Sequence, residues 1–61
     1  MELVLHDKKY RIKNSDIIGI LIDFHLVKEK NENICVLESD ERNSDGEFPL
    51  YDVWERDLEE A

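Results

Sequence analysis

Sixty-one residues make one domain, Met1–Ala61, and a chain this short buries only about 60% of the surface its unfolded form exposes, which argues against an enclosed active-site cavity. The net charge is −8 at pH 7 and is unevenly placed: up to Lys30 six cations face five acids, whereas from Asn31 onward eleven acids face two cations, Arg42 and Arg56. That polarity disfavours nucleic acid and anionic membranes as partners and favours basic surfaces.

Along the chain, Leu3-Val4-Leu5 is a short apolar run, His6-Asp7-Lys8-Lys9 is polar, and Tyr10 and Ile12 alternate with Arg11 and Lys13. The pattern predicts a strand, a turn and a second strand. Ile18, Ile20, Ile22, Phe24 and Leu26 then recur at every second residue, which predicts a longer strand with those five side chains on its core face. Ser15 could cap a helix here instead, but the isoleucines and Gly19 lower helix propensity, and β-branching suits a pleated surface.

Lys30-Asn31-Glu32-Asn33 separates two apolar runs and predicts a hairpin, because Asn tolerates the left-handed backbone of a tight turn. The return strand runs from Ile34 to Glu38, with Ile34 and Val36 on one face and Cys35 and Leu37 on the other. Ser39 to Glu47 has no apolar residue and contains Asp45-Gly46, an exposed loop.

The last segment has two readings. As a strand, Leu50 to Trp54 joins the sheet, Glu55-Arg56-Asp57 forms a tight turn, and Leu58 starts a short final strand. As a helix over 49–60, Pro49 sits in the first turn and Leu50, Val53, Trp54 and Leu58 share a face. The strand reading is preferred. The fold class is therefore mainly β, a small antiparallel sheet or barrel of about five strands, with an α+β fold carrying a C-terminal helix as the alternative. The short strands, a central hairpin entered near Gly19, the Asp45-Gly46 loop and the closing Trp54-Glu55-Arg56-Asp57-Leu58-Glu59 resemble a small SH3-like β-barrel. That resemblance implies a fold and no function.

Cys35 is alone, so no internal disulfide can form, and its place between Ile34 and Val36 predicts a buried, inert thiol. A lone cysteine fits a reducing compartment. No apolar run reaches the roughly 18 residues of a membrane span. No secretion signal is apparent, so cytoplasmic residence is the expectation.

The candidate chemistry is sparse. Glu41, Asn43, Asp45, Gly46 and Asp52 fall at calcium-loop spacing, but Pro49 interrupts the loop, a strand precedes it, and the closing glutamate is missing. His6, His25 and Cys35 are possible zinc ligands without a ligand-pair spacing. There is no phosphate-cradling glycine loop, no nucleophile elbow and no identifiable catalytic pair, so no catalytic residue, metal or cofactor is expected. Lys8, Lys9, Arg11 and Lys13 are the only basic cluster, too small to anchor nucleic acid directly.

The acids can act simply as a solubilising surface. A sharper reading is that the C-terminal half forms a plate whose carboxylates look outward on one side and imitate a nucleic-acid backbone. In size, acidity and lack of catalytic residues the chain resembles the small inhibitor proteins by which mobile elements block restriction, repair or CRISPR nucleases. That resemblance implies a partner with a basic, nucleic-acid-binding surface. Glu38, Asp40, Glu41, Asp45, Glu47, Asp52, Glu55, Asp57 and Glu59 are then the candidate contacts, with Trp54, Phe48 and Tyr51 as apolar anchors. The alternative is a generic interaction or accessory module, which predicts an apolar patch or self-association.

Overall fold

A computed structural model describes every residue from Met1 to Ala61. Five strands follow in chain order: β1 (Lys9–Ile12), β2 (Ile18–Val27), β3 (Glu32–Ser39), β4 (Leu50–Trp54) and β5 (Leu58–Glu60). They form one antiparallel sheet in the order β4-β3-β2-β1-β5. Tyr10, Leu21, Cys35, Leu37, Val53 and Leu58 make the buried core, so every strand contributes to it. Val53 and Leu58 lie on the two outermost strands of that order yet join one cluster, so the sheet curls about its core.

The mainly β fold class is as expected, and the helix over 49–60 does not form. Instead Leu50–Trp54 is a strand, a single 3₁₀ turn covers Glu55–Asp57, and β5 begins at Leu58. Val53 and Leu58 explain the choice: the strand-turn-strand path places both in the buried core, Val53 opposite Cys35 and Leu58 opposite Ile12. No helix is long and apolar enough to cross a membrane.

Three sequence expectations need correction. The first is that Leu3-Val4-Leu5 is not a strand. His6 has φ of 68°, which breaks an extended path, and the arm before β1 is held differently. The buried Tyr10 hydroxyl accepts the Val4 N–H at 3.0 Å and donates to the Glu2 carbonyl at 3.3 Å, and Leu3 packs on the core. A buried phenol needs such partners, and the arm supplies them.

The second concerns β2, which is the expected strand with its inner and outer faces exchanged as far as Leu21. Gly19 and Leu21 are buried, opposite Ser39 and Leu37, while Ile18 and Ile20 lie on the outer face. Leu21 faces Leu37 but Asp23 faces Val36, so Ile22 is an extra residue, a β-bulge. A bulge inverts the parity of everything after it. Phe24 therefore returns to the inner side opposite Cys35 and packs on the core, while Leu26, beyond it, is exposed. Gly19 is required sterically, since a Cβ there would lie 2.1 Å from the Glu38 carbonyl oxygen.

The third is the position of the hairpin turn, which falls at residues 28–31, earlier than predicted. Val27 pairs with Glu32, and Asn31 takes φ of 50° as an Asn in a turn can. The alternation along β3 is as expected: Cys35 and Leu37 are fully buried and Ile34 and Val36 are not. Between β1 and β2, Ser15 serves a turn rather than a helix, its hydroxyl donating to the Ile12 carbonyl at 2.7 Å and accepting the Ile17 N–H at 3.1 Å.

Candidate protein-binding face

Directly paired residues in an antiparallel sheet point to the same side, and successive residues point to opposite sides. Cys35, Leu37 and Val53 point inward, so the residues between them form an outer face. On it Glu38 lies opposite Leu50, Val36 opposite Asp52, and Ile34 opposite Trp54. On the other flank of β3, Glu38 faces Ile20, Val36 faces Asp23 and Ile34 faces His25. Ile20, Ile34, Val36 and Trp54 are half-buried, and Leu50 is 57% exposed. This apolar strip carries two carboxylates, Glu38 and Asp52, that make no ion pair.

The cationic side of the face lies on β1. Lys9 is opposite Ile20 and bonds the Asp40 carboxylate at 2.9 Å. Arg11 lies opposite Glu59 across the β1–β5 pair, with its guanidinium 3.7 Å from that carboxylate. The Arg56 guanidinium lies over the Trp54 ring at 5.5 Å and also bonds Glu32. Trp54 is therefore oriented by a cation and a cross-strand isoleucine.

The candidate acids do not form one plate. Glu38, Asp52 and Glu59 lie on the outer sheet face. Asp40, Glu41, Asp45 and Glu47 are exposed in the loop between β3 and β4. Glu55 and Asp57 belong to the 3₁₀ turn after β4, where Glu55 accepts the Asn33 amide at 3.0 Å and lies 4.0 Å from the N-terminal ammonium. Asp40, Glu55 and Glu59 are thus partly neutralised within the chain, whereas Glu38, Glu41, Asp45, Glu47, Asp52 and Asp57 are not.

The three aromatic anchors also separate. Tyr51 pairs with Leu37 and packs on the core, so it is not a surface anchor. Phe48 is exposed beneath the Arg42 guanidinium, which sits 5.1 Å from its ring. Trp54 alone is on the sheet face. Sequence reasoning missed Ile20, Ile34, Val36 and Leu50 as surface residues. For Ile20 alone a signal was available: from Ile17 to Ile22 both alternating faces of the run are aliphatic apart from Gly19, so one of them had to lie outside the core.

The loop residues at calcium-ligand spacing form a hydrogen-bonded turn, with the Gly46 N–H donating to the Asn43 carbonyl at 3.0 Å. The Asn43 side-chain oxygen accepts the backbone N–H groups of Asp45 and Glu47 at 3.0 and 3.1 Å, and Gly46 turns the chain with φ of 79°. No three His, Cys, Asp or Glu side chains are grouped as metal ligands would be. Cys35 is fully buried, and burial, reinforced by Glu55 and Glu32, pushes its thiol up to about 11. A thiol held protonated is a poor nucleophile.

A groove of about 380 Å³ opens at the 3₁₀-turn end, lined by Met1, Leu26, Leu58, Asn33, Glu55 and Arg56 among others. Its polar groups bond one another: Asn33 with Glu55, Arg56 with Glu32, and the Lys13 ammonium with the Arg56 carbonyl at 2.7 Å. No family model matches the chain, and neither the curated proteins nor the solved structures searched contain a match.

Proposed function

We propose that this chain is a non-catalytic, acidic protein-binding domain that inhibits a partner by occupying its basic, nucleic-acid-binding surface. One observation carries the reading: the outer sheet face combines an apolar strip, a cation-stacked Trp54 and the unpaired carboxylates Glu38 and Asp52. Binding hot spots are typically aromatic residues surrounded by polar groups that exclude water. The loop acids Glu41, Asp45 and Glu47 add a field of the same sign, which steers a basic partner at long range without needing to touch it. The strand order and the 3₁₀ turn before the last strand support an SH3-like reading of the domain, which bears on its shape and not on its partner.

The same apolar strip favours a second reading, a self-associating accessory module. Stacking two chains of charge −8 face to face opposes it. Capture from the native cell extract, followed by kinetics on the purified partner, tests the proposal. Association should slow steeply as salt rises, and added nucleic acid should displace the chain. Binding indifferent to salt and to nucleic acid would contradict inhibition by surface occupation. A concentration-dependent dimer that captures nothing would favour the accessory module.

A further inference from the structure

The two edges of the sheet are unlike. β5 is three residues long, and both its glutamates meet cations, Glu59 with Arg11 and Glu60 with Lys8 at 2.7 Å. A short, charged edge is a poor template for another strand. β4 is five residues long, Leu-Tyr-Asp-Val-Trp, rich in strand formers, with one charge at its centre and neither lysine nor proline inside it.

The hydrogen-bond phase shows which backbone groups β4 leaves open. Ser39 N–H donates to the Pro49 carbonyl at 2.9 Å, which makes Ser39 and Pro49 facing partners of the bonded kind. Bonded and non-bonded pairs alternate along an antiparallel ladder. Leu37 with Tyr51 and Cys35 with Val53 are therefore the bonded pairs, and the N–H and C=O groups of Leu50 and Asp52 point away from β3 to the open edge. Asp52 sits at the centre of that edge with its carboxylate on the outer face and no cation beside it.

We infer that the β4 edge accepts an extended, antiparallel basic segment of the partner, with a lysine or arginine opposite Asp52 and apolar residues two positions to either side. The mode is β-augmentation: backbone groups supply the bonds, and alternate side chains supply the choice. The residue opposite Asp52 exchanges both backbone bonds with it, so its side chain lies directly beside the carboxylate. The flanking apolar residues lie beside Leu50 and Trp54. A second copy is a poor occupant, because full two-fold pairing of β4 places Asp52 opposite Asp52, and like charges directly opposed are destabilising. This inference rests on the proposed function and adds its mode of contact.

The test uses the whole chain and three peptides: threonine-flanked Ile-Thr-Lys-Thr-Ile, the same with Glu for Lys, and the Lys peptide N-methylated at its lysine. Amide NMR titration should locate the Lys peptide at Leu50, Asp52 and Trp54, bound about tenfold tighter than the Glu peptide. Asp52→Lys should reverse that preference, and Asp52→Asn should abolish it. N-methylation removes the donor to the Asp52 carbonyl and should abolish binding, which simple charge attraction would not. Equal affinity for both peptides, indifference to N-methylation, or shifts confined elsewhere would overturn the inference. Salt-sensitive capture of a partner surviving that result would leave the proposed function standing without this mode.

Discussion

At Gly19 the sheet tolerates no side chain, because β3 runs past it within contact of a would-be Cβ. Gly19→Ala is expected to destabilise the fold by about 2 kcal/mol or more, since the opposing atom is backbone and cannot rotate away; urea unfolding reads this as a lower midpoint at unchanged slope. Cys35 has a different signature. The native state holds its thiol proton up to about pH 11, whereas the unfolded chain releases it near the ordinary value of 9.0. The stabilisation is complete below about pH 9 and is lost as pH rises towards 11. Cys35→Ala should lower stability at pH 7 through the cavity it leaves, yet flatten the decline between pH 9 and 11. A decline of equal steepness in both proteins would show that the thiol is not the titrating group. Residues of this kind were partly legible in the sequence: Cys35 reads as buried from its neighbours, but the close approach at Gly19 is a property of strand packing and leaves no local mark.

The elements were more legible than their faces. The hairpin between β2 and β3 has Asn31 at φ of 50°, in the left-handed region, so Asn31→Gly should be near neutral and Asn31→Val should cost about 1 kcal/mol or more. Thermal melts of the two variants separate these outcomes. The period-2 pattern of Ile18 to Leu26 identifies a strand correctly, mistakes which side is buried before the bulge and places Phe24 correctly after it. Its five apolar residues fall in one register only if the strand is regular, and the Ile22 bulge makes it irregular. Nothing in the local composition announces that extra residue. The N-terminal arm misled for a related reason. Leu3 is apolar because it packs on the core and not because it joins the ladder, and the demand that shapes the arm, two partners for the Tyr10 hydroxyl, is a tertiary one. The strand-turn-strand reading of Leu50 to Leu58 succeeded because strand formers and a charged tripeptide alternate at the right lengths.

For the whole molecule, charge sets the encounter and the outer face sets the complex. The acidic bias of the C-terminal half is visible in the sequence, but its placement is not. The sheet distributes those carboxylates among a face, a loop and a turn, and internal cations answer three of the nine candidate acids. The most direct measurement therefore compares two charge reversals against one captured partner, by stopped-flow association at low and high salt. Glu38→Lys with Asp52→Lys alters the sheet face; Glu41→Lys with Glu47→Lys alters the loop by the same amount of charge. The account predicts that both slow association at low salt, while the face reversal alone also speeds dissociation by about tenfold or more, because only there are the charges in contact. Equal effects of the two pairs on dissociation, or none from the face pair, would contradict it.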